Sequence, residues 1–121
     1  MRKNLAAALA LSLAFAGAQA TPLPAPARAE VDALLARLQS SGCQFNRNGS
    51  WYSGAEARTH LLRKLEYLEK KDMVKNAEQF IDLGAATSSS SGKPYMVKCG
   101  AAAALESKAW LTTELKAIRA R

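Results

Sequence analysis

The chain has 121 residues, with 17 basic and 10 acidic side chains and a formal net charge of +7. This length supports one domain and excludes a large multidomain enzyme. The positive charge favours anionic partners. Because acidic side chains lie among the basic ones, the sequence has no dense basic stripe, and nucleic acid is not a predicted partner.

The first 20 residues have the layout of a secretory signal peptide. Arg2 and Lys3 give a positive start, and an apolar run from residue 5 to residue 18 follows. Residues 18–20 form a cleavage site of the A-x-A type. We therefore predict a bacterial protein that is cleaved after Ala20 and is periplasmic or secreted. The apolar run is too short to cross a bilayer as a helix, so no membrane span is predicted for the mature chain.

Cleavage changes the bulk properties of the chain. Removal of 20 residues from 121 leaves 101, with 15 basic and 10 acidic side chains and a net charge of +5. Residues 21–27 contain three prolines and are predicted to form a Pro-rich leader. Residues 28–121 are predicted to form a single small domain, which buries roughly two thirds of its unfolded surface.

The mature chain has two cysteines, Cys43 and Cys99. In an exported chain the simplest expectation for an even pair is one disulfide. A metal pair and two buried thiols are the alternatives. Metal sites usually need four ligands, however, and His60 is the only histidine. No metal site is therefore predicted.

Apolar periodicity predicts about four helices. The first begins near residue 28 and ends at the Ser-Ser-Gly sequence of residues 40–42, where glycine favours a helix stop. The second covers about residues 53–71 and begins with a capping box, and a shorter third helix begins at Asn76. The last covers about residues 102–120.

Alternating polar and apolar residues predict two short strands, at about residues 43–48 and 95–99. Antiparallel pairing places the apolar side chains of both strands on one face, as a half-buried ribbon requires. The predicted fold is therefore α+β and mainly helical, with a two-stranded antiparallel ribbon closed by a disulfide. The predicted cross-strand pairs are Cys43 with Cys99, Phe45 with Val97, and Arg47 with Tyr95.

Four short sequences occur in a characteristic order: R-N-G at residues 47–49, A-x-x-H-L-x-x-K at 57–64, A-E-x-F-I at 77–81, and S-S-S-S-G-K-P-Y at 88–95. Together they resemble the YfeK-like small periplasmic proteins, a family of unknown function, over about residues 28–99. This resemblance implies export and a small helical domain. It implies no activity and no cofactor.

A candidate contact surface consists of Arg47, Trp51, His60, Lys64 and Tyr95. His60 and Lys64 lie one turn apart at the border of an apolar helical face, and the ribbon brings Tyr95 beside Arg47. Cations with a hydroxyl donor suit a carboxylate or phosphate, so these residues predict a cationic notch. In the structural alternative, His60 caps a neighbour, Lys64 extends past the core, and Arg47 stacks on Tyr95.

The predicted function is that of a small binding or envelope-associated module. Its expected partner is an anionic envelope component or an acidic protein. The alternative is a small hydrolase or transferase that uses His60 as a general base, since histidine titrates near neutral pH. A structural protein without a ligand is a third possibility. No catalytic constellation, metal site or cofactor is predicted.

Overall fold

A computed structural model describes residues 21–121 of the chain. The predicted signal peptide, residues 1–20, lies outside the described residues. Among the helices of residues 21–121, none combines the length and apolarity needed to cross a bilayer.

Helices and a small antiparallel sheet alternate along the described chain, so the predicted α+β class is confirmed. The third helix continues directly into a π-helical turn. The elements are α1 (Ala25–Ser40), β1 (Gln44–Arg47), β2 (Ser50–Tyr52), α2 (Gly54–Lys70), α3 (Ala77–Phe80) with its π turn (Ile81–Ala85), β3 (Met96–Lys98), β4 (Leu105–Glu106) and α4 (Ser107–Arg119).

The sheet contains the predicted ribbon and two further short strands. Its strand order is β2-β1-β3-β4, and all neighbours are antiparallel. The central pair has the predicted register, with Phe45 opposite Val97. The predicted disulfide between Cys43 and Cys99 is present and lies at the end of this pair. The structure therefore confirms the ribbon, and β2 and β4 extend it on either side.

The last helix begins five residues later than predicted. The alanines of residues 101–104 have high helix propensity, but they are exposed and follow Gly100, which adopts a left-handed φ of 61°. The chain then pairs Leu105 with Val97 before α4 begins at Ser107. Strand pairing thus overrides the local preference for helix.

The first helix begins three residues earlier than predicted, at Ala25. Pro24 is its N-cap and Pro26 lies in its first turn, where a missing N–H costs nothing. The preceding residue, Leu23, is buried, and its N–H donates to Oε2 of Glu69 at 2.8 Å. Residues of the predicted leader are therefore attached to α2.

The core lies between the helices and the inner face of the sheet. Leucines of α1 and α2 meet Phe80 and the apolar face of α4. The predicted capping box fixes the start of α2, since Glu56 N–H donates to Ser53 Oγ at 3.2 Å and Ser53 N–H donates to Glu56 Oε1 at 3.0 Å. This start determines the direction in which α2 presents its polar side chains to the β1–β2 hairpin. The largest fully buried side chains are Phe80, Leu34, Leu35, Leu38, Leu65, Leu111, Val31, Val74 and Val97.

Candidate functional site

A cavity of about 320 Å³ lies where the β1–β2 hairpin meets α2. Three basic side chains line it: Arg47 from β1, and His60 and Arg63 from α2. The phenol groups of Tyr52 and Tyr95 also line it. This volume is at the lower end of the range for small-molecule sites, about 300 to 1,000 Å³.

Tyr95 connects His60 and Lys64 at one side of the cavity. Its hydroxyl lies 3.0 Å from Nε2 of His60, and Nζ of Lys64 donates to the same hydroxyl at 3.2 Å. An ammonium group can only donate, so the phenol oxygen accepts from Lys64 and its own proton is available to His60. When His60 is neutral and its Nε2 accepts the hydrogen bond from the Tyr95 hydroxyl, the imidazole's own proton lies on Nδ1.

The surroundings of these three groups disfavour charge. Burial is the largest cause that lowers the pKa of His60, and that pKa is lowered further by the positive charges of Arg47, Lys64 and Arg63. Burial, followed by the charge of Arg47, lowers the pKa of Lys64. Burial also raises the pKa of Tyr95, against the opposing effect of Arg47. The site thus holds several cationic groups that repel one another.

Arg47 stacks on a different tyrosine from the one that the structural alternative names. Its guanidinium carbon lies 5.4 Å from the ring centroid of Tyr52, the residue that pairs with Phe45. Within residues 21–121, neither Arg47 nor Arg63 has a carboxylate at ion-pair distance. Two guanidinium groups therefore line the cavity without an acidic partner in the described chain.

The predicted contact residues have different positions relative to the cavity. Arg47, His60 and Tyr95 line it, and Lys64 lies behind Tyr95. Trp51 does not line it: this residue is 44% exposed and lies one position before Tyr52, so strand alternation directs it to the opposite face of the sheet. The structure thus brings together four of the five predicted residues.

Among the lining residues that sequence reasoning missed, three are polar groups from different elements: Arg63, Tyr52 and Ser107. Arg63 follows His60 by three positions, so helical spacing alone could have indicated it. Tyr52 could not be assigned to a face, because β2 was not predicted. Ser107 also lines the cavity, and the predicted earlier start of the last helix concealed its position.

The serine loop of residues 88–91 is fixed to the β1–β2 turn. Nδ2 of Asn48 donates to Oγ of Ser88 at 3.1 Å, and Oγ of Ser91 donates to Oδ1 of Asn48 at 2.6 Å. Lys64 Nζ donates to the carbonyl oxygen of Thr87 at 3.1 Å. Three of the four sequences that carry the family resemblance therefore meet beside the cavity.

Comparison with known proteins agrees with this resemblance. A family model described as a family of unknown function, DUF5329, matches residues 25–119. The chain belongs to the DUF5329 family. The uncharacterized protein YfeK of Salmonella typhimurium strain LT2 is similar to it, with 41% identity over 68 residues. That match covers 55% of each protein, so the chain spans about half the length of this relative. No solved structure matches significantly.

The chemistry available in this DUF5329 domain is that of polar and cationic side chains. Residues 21–121 contain no group of three or more potential metal ligands. No carboxylate in this part of the chain hydrogen-bonds to His60, whose Nε2 contacts the Tyr95 hydroxyl instead. The geometry therefore offers hydrogen-bond donors and positive charge at one cavity.

Proposed function

We propose that this protein is a small extracytoplasmic binding module whose cavity takes the carboxylate or phosphate group of a ligand. The observation that carries the proposal is the pair of guanidinium groups, Arg47 and Arg63, that line the cavity without a carboxylate at ion-pair distance in residues 21–121. The disulfide supports a location outside the cytoplasm, because such bonds persist in oxidising compartments. Together with the predicted cleavage after Ala20, it supports the periplasm.

Charge complementarity supports an anionic ligand. Arg47, Arg63 and His60 face the cavity, and an anion there offsets their mutual repulsion. Glu56 is the carboxylate that lines the cavity, and it already accepts the N–H of Ser53. Carboxylates of peptidoglycan and phosphates of lipids are anionic envelope groups of this chemistry.

Substitution of Arg47 by methionine is expected to weaken anion binding by about tenfold or more. A hydrogen bond to a charged group contributes about 1.5 to 3 kcal/mol, and methionine keeps the length of the side chain without its charge. The measurement is a titration of the mature protein with sodium acetate and, separately, with inorganic phosphate at constant ionic strength. The nuclear magnetic resonance signals of the His60 ring report occupancy.

Lys98→Met is the matched control, since it removes one positive charge from the opposite face of the sheet. We expect it to leave anion binding within about twofold of the wild type, because the charge of Lys98 lies across the sheet from the cavity and is screened by solvent and salt. Equal weakening by both variants would indicate attraction by net charge alone and contradict a defined site. The preferred anion distinguishes a carboxylate source from a phosphate source.

Acetate binding is expected to strengthen as the pH falls through the range in which His60 titrates. The pKa of His60 is lowered in the free protein, and a bound anion offsets the repulsion and raises that pKa. Binding then takes up a proton, and each unit of difference between the two pKa values gives about a tenfold gain in affinity. As the pH falls, the affinity begins to rise near the His60 pKa of the anion-bound protein. It stops rising below the His60 pKa of the free protein.

His60→Gln is the control for this pH dependence, because glutamine can hydrogen-bond to Tyr95 but does not titrate. We expect a flat affinity profile between about pH 8 and about pH 5.5, above the titration of acetate itself. A wild-type affinity that is independent of pH over this range would show that His60 does not face the bound anion.

A further inference from the structure

The buried part of the cavity wall is apolar. Leu38 of α1, Phe45 of β1 and Leu61 of α2 line it, and each is at most 7% exposed. The cations lie on the more open side, where Arg47 is half-buried and Arg63 is exposed. The cavity therefore has a charged opening and an apolar interior. An inorganic anion bound to the cations contacts the opening and leaves the apolar interior uncovered.

The cavity is larger than an anionic group requires. A water molecule occupies about 30 Å³ in the liquid, so a volume of about 320 Å³ has room for roughly ten groups of that size. A carboxylate group fills about three or four of these ten volumes. The remaining space accommodates an apolar body of roughly six or seven carbon atoms.

One polar group interrupts the apolar wall. Ser107 at the start of α4 lines the cavity and is 3% exposed, and its backbone N–H donates to the Tyr95 carbonyl. Its hydroxyl has no hydrogen-bond partner within residues 21–121. Buried hydroxyl groups in folded proteins are nearly always paired, so this one points to a ligand or water inside the cavity.

We propose that the ligand of this cavity is an amphiphilic anion, in which one carboxylate or phosphate is joined to a hydrocarbon body of about six or seven carbons. The inference rests on the proposed function, because it places the anionic group at Arg47 and Arg63. The hydrocarbon body lies against Leu38, Phe45 and Leu61, where it replaces water on an apolar surface.

The test is a series of straight-chain carboxylates from acetate to decanoate, titrated into the mature protein below their aggregation concentrations. Each added methylene is expected to tighten binding by up to about fourfold, so hexanoate binds on the order of a hundredfold more tightly than acetate. The gain is expected to level off near octanoate, when the cavity is full. Hexyl phosphate in place of hexanoate distinguishes a phosphate from a carboxylate ligand.

The series separates failure of this inference from failure of the anion site. Equal affinity for acetate and hexanoate would overturn the amphiphilic ligand and leave the anion site intact. Equal affinity for hexanol and hexanoate would overturn the anion site. Both conclusions come from the wild-type protein and need no variant to fold.

A pair of variants on α2 locates the hydrocarbon body. Ala57 is half-buried and lines the cavity, whereas Ala55 is exposed and does not. We expect Ala57→Leu to fill the apolar space and remove the gain from acetate to hexanoate. Ala55→Leu adds the same volume outside the cavity and is expected to retain the full gain. Retention of the gain in Ala57→Leu would place the hydrocarbon elsewhere.

Discussion

Reduction of the Cys43–Cys99 disulfide is expected to lower the free energy of unfolding of the mature domain by about 4 kcal/mol. The bond spans 56 positions of the sequence, so its loss restores a large conformational freedom to the unfolded chain. For a domain of this size the melting temperature falls on the order of 20 °C. Thermal unfolding followed by circular dichroism, with and without reductant, measures the change.

The double variant Cys43→Ala, Cys99→Ala is the control for effects of the reductant itself. Its melting temperature should resemble that of the reduced wild type and should not respond to reductant. Because the bond also lies at the end of the β1–β3 pair, the His60 resonances should broaden in the reduced protein as this strand pair loosens. A reduced wild type that melts at the same temperature as the oxidised form would contradict a stabilising role.

The cysteine pair explains why the central register could be predicted from sequence. Placing Cys43 opposite Cys99 forces Phe45 opposite Val97, and the structure has that pair. The disulfide does not constrain the positions of β2 and β4. Those strands have three and two residues and are too short to show an alternating pattern. They form because β1 is available as a partner for β2 and β3 as a partner for β4.

The candidate site could be predicted in part because helical spacing is regular. His60 and Lys64 lie one turn apart on the same face of α2, so a side chain that packs against this face contacts both. The Tyr95 hydroxyl makes these two contacts. The position of Arg47 depends on β2, whose Tyr52 supports the guanidinium. Cavity volume depends on how closely two helices approach, which no local pattern encodes.

Helices α1 and α2 are in close backbone contact at Gly54, in the first turn of α2. A Cβ atom built there would lie 2.6 Å from the carbonyl oxygen of Leu38 and 3.0 Å from backbone atoms of Gln39. Both contacts are with backbone, which cannot rotate away as a side chain can. The glycine therefore permits the spacing that brings Leu38 and Ala57 to the same cavity.

Gly54→Ala is expected to destabilise the domain by about 1 to 3 kcal/mol, although alanine is the better helix former by up to about 1 kcal/mol. The cause is overpacking, since α1 and α2 must move apart to admit the methyl group. Ala55→Gly is the matched comparison, because it changes propensity at the neighbouring exposed position without altering the contact, and we expect it to cost no more than about 1 kcal/mol. Denaturant unfolding measures both variants, and the His60 resonances report whether the cavity wall has moved. A Gly54→Ala protein that equals or exceeds the wild type in stability would show that the two helices can separate freely and would contradict this role of the glycine.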